Sequence, residues 1–390
     1  MARHAIVTLV FLAASAFSRT PQPSKPFHFT AHEIATGLRG GYQVVVADLN
    51  KDGKPDIIAL ASGLPELAWY ENPTWERHVI IGGASQMINV SPADLDADGI
   101  PELALAQGFT TSPKTSAGIV SILTHGDNPK ATWTAREIDR VPTTHRLRWV
   151  DAEGNGRKVL VNAPLVGADA VPPDYKSRMS IYYYRPPDYR REVVTDGFTG
   201  LVHGITPVVW QGVRGESLLS AGFMGIYLHH FSAGTWTPTQ LTTGSPAEWP
   251  KSGSSDVAVG RANGKRVLAA IEPWHGNEVT IYYDDKTTWR RQVIDTTIAD
   301  GHTIVTADVD GDGTDEVIVG QRGGERSLML YAAAKDGSWS RHVIDEGGMA
   351  GAGCAAADLN ADKRLDIVCI GTATANLKWY ENAAAITSRP

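Results

Sequence analysis

One short pattern limits what this chain can fold into. From Gly301 to Arg322, GHTIVTADVDGDGTDEVIVGQR, two β-branched runs flank a loop of acids. Thr303 to Ala307 and Glu316 to Val319 are short, apolar and bounded by turn residues, which predicts a β-hairpin. Between them Asp308, Asp310 and Asp312 precede Gly313. That order wraps oxygen ligands around a calcium ion while glycine makes the sharp turn. An EF-hand would need a helix on each side, and none is readable here.

The pattern recurs. Asp48, Asn50, Asp52 and Asp56 form a second copy, Asp94, Asp96, Asp98 and Glu102 a third, and Asp358, Asn360, Asp362 and Asp366 a fourth. In each, as in Asp308 with Glu316, an acid stands eight positions after the first ligand, where it can close a coordination sphere. A degenerate copy begins at Asp151, and two more, Val209 to Ser217 and Gly260 to Val267, keep the strand-loop-strand outline without the acids. Seven copies at a period of roughly 46 to 58 residues suit the four-stranded blade of a propeller. The expectation is an all-β, seven-bladed β-propeller in one domain, residues 27–382, with structural Ca2+ in the four full loops.

Outer strands follow a common form: Trp75 to Ile80, Trp133 to Ile138, Trp289 to Ile294 and Trp339 to Ile344. The last repeat has none, and Phe29 to Ile34 has the matching form, so the two chain ends are expected to pair and close the ring. Residues 1–20 read as a secretory signal peptide: Arg3 and His4, an apolar run, then small residues. No second apolar run is long enough to span a bilayer, so a secreted or periplasmic protein is expected. A net charge of −7 without a basic stripe argues against nucleic acid. Cys354 and Cys369 fall on neighbouring strands of the last repeat; a disulfide and two buried thiols both fit. Nothing in the pattern fixes the oligomeric state.

Aligning the innermost strands on their loops reveals a column. Six positions before the first acid stand Tyr42, Ile88, His145, His203, Ser254, His302 and Ala352. In a propeller those strands line the axis, so three histidines are expected at one mouth, about 20 Å from the acidic loops at ~3.3 Å per residue. The second strands return to the same mouth with Glu272, Trp274 and His275, with Gln321 and Arg322, and with Asn162. Two irregular segments, Gly108 to Gly118 and Pro164 to Arg178, leave from that side and could wall a pocket.

The candidate catalytic set is therefore His145, His203, His275, His302, Arg146, Glu272 and Arg322, with Trp274, Tyr42 and Gln321 toward substrate. Neutral imidazole can take a proton near physiological pH, and guanidinium can stabilise an enolate oxygen. The same histidines could instead hold a divalent metal such as Mg2+, Zn2+ or Mn2+. No Gly-x-Ser-x-Gly elbow, phosphate loop or Rossmann turn competes with them.

The acidic hairpins resemble FG-GAP/VCBS repeats. THRLRWVDAEGNGRKVLVNAPLVG from Thr144, VHGITPVVW from Val202, AAIEPWHGNEVTIYY from Ala269 and the segment from Gly301 together resemble the propeller part of the aldos-2-ulose dehydratase family, which also acts on 1,5-anhydrofructose. That resemblance implies a carbon–oxygen lyase that eliminates water from a keto-sugar at a metal-assisted channel site, with a small carbohydrate as partner. The family's fungal members carry cupin domains for a following isomerisation, for which this sequence has no room, so isomerase activity is not expected. Two alternatives stay open: a polysaccharide lyase of the related rhamnose-glucuronate type, and a calcium-stabilised propeller that binds glycans or proteins without chemistry.

Overall fold

The computed structural model describes residues 27–383, so the expected signal peptide lies outside the described residues. The chain forms seven antiparallel four-stranded sheets arranged as blades, and no helix occurs among the described residues. Blade 1 spans residues 41–81, blade 2 residues 89–140, blade 3 residues 144–199, blade 4 residues 202–242, blade 5 residues 256–295 and blade 6 residues 301–345. Blade 7 takes three strands from residues 351–382 and its outermost from Phe29–Ala35. The ring closes there as the sequence leads one to expect: Phe29 pairs with Asn382, Ala31 with Tyr380 and His32 with Trp379.

Hydrophobic burial explains why these strands stack into a ring. Second strands are almost wholly apolar, and Asp56–Ala61, Val159–Pro164, Glu316–Gln321 and Asp366–Gly371 are buried along their full length. A strand buried on both faces needs a neighbour on both, and each blade supplies one for the next. One cluster joins Ile58, Leu60 and Trp69 of blade 1 to Val90, Leu103 and Leu123 of blade 2. Another joins Val44, Ile57 and Tyr70 of blade 1 to Val368, Ile370 and Leu377 of blade 7. Each such aliphatic side chain contributes about 1.5–3 kcal/mol, so the blade interfaces carry most of the core.

Close to the axis the strands crowd. A Cβ on Gly204 would lie 2.2 Å from Asp256 Oδ1, and one on Gly353 would lie 2.9 Å from the Gln43 Cα. Glycine at these positions lets neighbouring innermost strands approach. Cys354 and Cys369 are direct cross-strand partners in blade 7 and form a disulfide. In blade 5 the acidic loop has shrunk to Asn263 and Gly264, both at positive φ, a tight hairpin with no room for an ion.

Candidate functional site

The column of aligned residues has a structural cause. In five blades the register of the innermost strand slips by one residue at the column position, skipping Tyr42, His145, His203, His302 and Ala352. Each slip is a β-bulge, which redirects a side chain that regular alternation would send elsewhere. It also explains why the strand expected to begin at Thr303 begins at Gly301: the bulge at His302 breaks the period of two.

Four imidazoles meet at this mouth. The His203 ring centroid lies 4.9 Å from that of His145, 5.0 Å from His275 and 5.1 Å from His302, and His275 lies 5.2 Å from His302. Tyr42 completes the group, its hydroxyl 2.7 Å from His145 Nε2. Arg146 donates from Nη1 to the same hydroxyl at 3.1 Å, and its guanidinium lies over the phenol ring.

Backbone carbonyls fix two tautomers. His302 Nδ1 lies 2.6 Å from Ala352 O and His203 Nδ1 lies 3.2 Å from Ser255 O. A carbonyl only accepts, so each Nδ1 carries the proton and each Nε2 keeps its lone pair. The His302 Nε2 is buried with no hydrogen-bond partner among the described residues. His275 stands between two influences: Arg322 Nη2 is 2.9 Å from its Nδ1 and Asp300 Oδ1 is 3.4 Å from the same atom. Arg322 is itself held by both oxygens of Asp300, at 3.2 and 3.0 Å. Under the arginine, His275 Nδ1 accepts and Nε2–H points to His203 Nε2 at 3.3 Å. Under the carboxylate, Nδ1 donates and Nε2 is freed.

Burial holds these rings neutral. It is the largest cause lowering His145, His203 and His302 well below the usual imidazole value, and neighbouring Arg146, Arg322 and the other histidines push the same way. His275 is lowered to about 3 by burial and then by Arg322, against the opposing pull of Asp300.

Other candidates are placed differently. Glu272 is fully buried and accepts from Ser254 Oγ at 2.7 Å, Tyr282 OH at 2.5 Å and Arg291 Nε at 2.8 Å, which ties it into the strands of blade 5. Gln321 accepts from the Ala299 backbone N–H at 2.9 Å and so braces the turn that carries Asp300. Asn162 bonds Thr144 and Tyr184 within blade 3. Trp274 lies tilted with its ring centroid 4.7 Å from that of His275 and meets Tyr175 and Phe223 edge-on, walling the mouth with the segment after Pro164. Phe109, from the other irregular segment, reaches the His145 ring at 5.3 Å.

Sequence reasoning missed Ser255, Asp300 and Phe109, which sit in connections without a repeated offset. It also missed Arg148, although two residues beyond Arg146 on one strand is the same face. Tyr42, Arg146, Arg148, Asn89, Asp256 and His302 line one cavity of about 330 Å³ running into the central channel.

At the opposite mouth the acidic loops fall into two kinds. Ligand atoms of Asp94, Asp96 and Glu102, and of Asp308, Asp310 and Glu316, lie within 4.8 Å of one another. Burial and the surrounding aspartates push Glu316 up to about 8, a crowding that a divalent cation would relieve. Glu102 and Glu316 each accept one backbone N–H, from Leu95 and Val309, but in the other two loops backbone occupies both oxygens of the late acid. Asp56 accepts from Leu49 and Asn72, and Asp366 from Leu359 and Asn382. There Asn50 and Asn360 donate to Glu71 and Glu381.

Residues 117–285 match the family model described as the aldos-2-ulose dehydratase β-propeller domain, a span holding His145, Arg146, His203, Trp274 and His275. This chain resembles the propeller of aldos-2-ulose dehydratase. Residues 48–105 and 308–369 match FG-GAP-like repeats. Aldos-2-ulose dehydratase of Phanerodontia chrysosporium is 26% identical over 290 residues, 66% of this chain and 31% of that protein. The chain thus spans about a third of the length of that relative. The relationship is to a dehydratase family, at a distance. Among solved structures, a chain of a mitotic checkpoint complex aligns with a TM-score of 0.58 at 12% identity, covering 97% of this chain and 98% of its own. Virginiamycin B lyase from Staphylococcus aureus aligns with a TM-score of 0.58 at 12% identity, covering 91% and 99%. Both establish the propeller fold alone.

Proposed function

We propose that the histidine mouth is the active site of a carbon–oxygen lyase that removes water by β-elimination from a keto-sugar or anhydro-keto-sugar. The observation that carries this reading is the Tyr42–His145 hydrogen bond beside Arg146, set against three further neutral imidazoles. A carbonyl acidifies its α-hydrogen. Tyr42 oxygen takes that proton while its own passes to His145 Nε2, 2.7 Å away. Arg146 steadies the phenol oxygen through the transfer, and His275 Nε2–H donates to the oxygen that becomes enolate. Tyr42 then protonates the departing hydroxyl and recovers its proton from His145. One C–H and one C–O bond break, a C=C bond forms, and water leaves with the protein unchanged.

The residues also fit a divalent ion. His203 and His302 aim Nε2 lone pairs inward with Nδ1 tied to carbonyls, and His275 joins them when its Nδ1 donates to Asp300. Nitrogen atoms of the three rings lie within 4.8 Å of one another. These three would hold Zn2+ or Mn2+ better than Mg2+, which prefers oxygen. Such an ion would polarise the substrate carbonyl.

Incubation with 1,5-anhydrofructose is expected to give an ultraviolet-absorbing enone. Tyr42→Phe and His145→Gln are each expected to slow it by about 10²–10⁴-fold. No absorbance from that sugar or from other 2- and 3-keto-sugars, neutral or acidic, would sink the reading.

A further inference from the structure

The central channel behind the histidines holds two cations that the protein leaves unneutralised. Arg146 and Arg148 stand two apart on one strand and line the same cavity of about 330 Å³. Neither makes a salt bridge among the described residues. Arg146 uses only Nη1, toward Tyr42 and His145, and Arg148 uses only Nη1, toward Asn89 Oδ1 at 3.0 Å and Leu147 O at 2.8 Å. Four guanidinium nitrogens, Nε and Nη2 of each, have no hydrogen-bond partner among the described residues.

The one carboxylate lining this cavity among the described residues answers them only at a distance. Asp256 accepts the Val257 N–H at 2.9 Å and lies beyond ion-pair distance of both arginines. Burial first, and Arg146 second, push Arg148 down to about 10 against a smaller pull from Asp256, and burial pushes Asp256 up against the pull of both arginines. With the histidines neutral, two guanidiniums against one carboxylate leave the channel with an excess positive charge. These guanidinium nitrogens stay open to the channel, so an anion that enters it meets unpaired donors as well as excess charge. Asn89 is preset to help. Its Oδ1 accepts from Leu147 N at 2.8 Å and from Arg148, which leaves its Nδ2 as a donor.

We propose that Arg146, Arg148 and the Asn89 amide form an oxyanion subsite in the channel, occupied by the carboxylate of an acidic sugar whose remaining atoms extend toward Tyr42 and His302. Planar bidentate donors suit carboxylate or sulfate, and the cavity continues from the arginines to the reactive mouth. This deepens the lyase reading by adding keto-sugars that carry a carboxylate to its substrates, and in that part it rests on it.

The test reads binding rather than turnover. Calorimetric titration and thermal shift at constant ionic strength would compare D-glucuronate, acetate, sulfate and D-glucose on wild-type protein, Arg148→Gln and Arg148→Lys. Glucuronate is expected to raise the melting temperature where glucose does not, and to bind at least tenfold more weakly to Arg148→Gln. Arg148→Lys, which keeps the charge, is expected to retain part of the affinity and guards against loss through misfolding. Glucuronate binding no tighter than acetate or sulfate would assign the site to free oxyanions and overturn the acidic sugar as occupant. Absence of anion binding, or equal binding by Arg148→Gln, would overturn the subsite. A protein that binds glucuronate yet dehydrates no keto-sugar keeps this proposal and loses the reaction, so the two fail separately.

Discussion

A buried imidazole makes this molecule sensitive to acid at a place remote from its chemistry. His229 in blade 4 has no exposed surface, hydrogen-bonds Ser220 Oγ at 2.9 Å through Nε2, and is lowered to about 3 by burial. Its unfolded value is near 6.5. The folded state therefore resists a proton that the unfolded chain accepts, and stability is complete above about pH 6.5 and falls as pH drops toward 3. Between pH 7 and 5 this one residue is expected to cost about 2 kcal/mol. Denaturant melts of His229→Gln should show that slope reduced by the share of one group, and an unchanged slope would count against it. At the same scale, the column from Tyr42 to Ala352 was legible because a fixed offset from the start of the loop survives in every copy, even where the acid is lost. The surroundings of Glu272 were hidden for the opposite reason. The end of a second strand can point to the mouth or into the blade, and the partners that decide it, Ser254, Tyr282 and Arg291, lie far off in sequence.

The acidic hairpins look alike in sequence and behave as two elements in space. Blades 2 and 6 pair an acid at the third loop position with a glutamate at the ninth; blades 1 and 7 pair asparagine with aspartate. The shorter aspartate serves two backbone donors, and the asparagine is tied to Glu71 or Glu381. We expect calcium at the Asp94 and Asp308 loops and protein hydrogen bonds in its stead at the other two. Calorimetry should then count two ions rather than four. Glu316→Gln should blunt the fall in melting temperature caused by a chelator. Asp56→Ala, which strands two backbone donors, should cost about 1–3 kcal/mol with or without calcium. The sequence contained this distinction, but its meaning depends on a third-strand glutamate that no loop motif includes.

At the scale of the ring, closure depends on the seven residues Phe29–Ala35. Deleting residues 27–35 removes six cross-strand partners and opens an edge at Leu377–Asn382. A melting temperature lower by on the order of 10 °C is expected, together with concentration-dependent association through the bared edge; a truncated chain that melts like the parent would refute this. Ring and period were readable because seven copies averaged out local ambiguity, whereas Arg148 in the channel was not, since a packed axis and an open one share the same alternating strands. The bulges give this architecture a further property. Because each inserts a residue outside the alternation of its strand, the side chain it carries can be exchanged without turning its neighbours inside out. The mouth behaves as a circle of separate sockets, some fitted with imidazole and one, at Ala352, left blank. Chemistry can then be rewritten one socket at a time on a scaffold that stays the same.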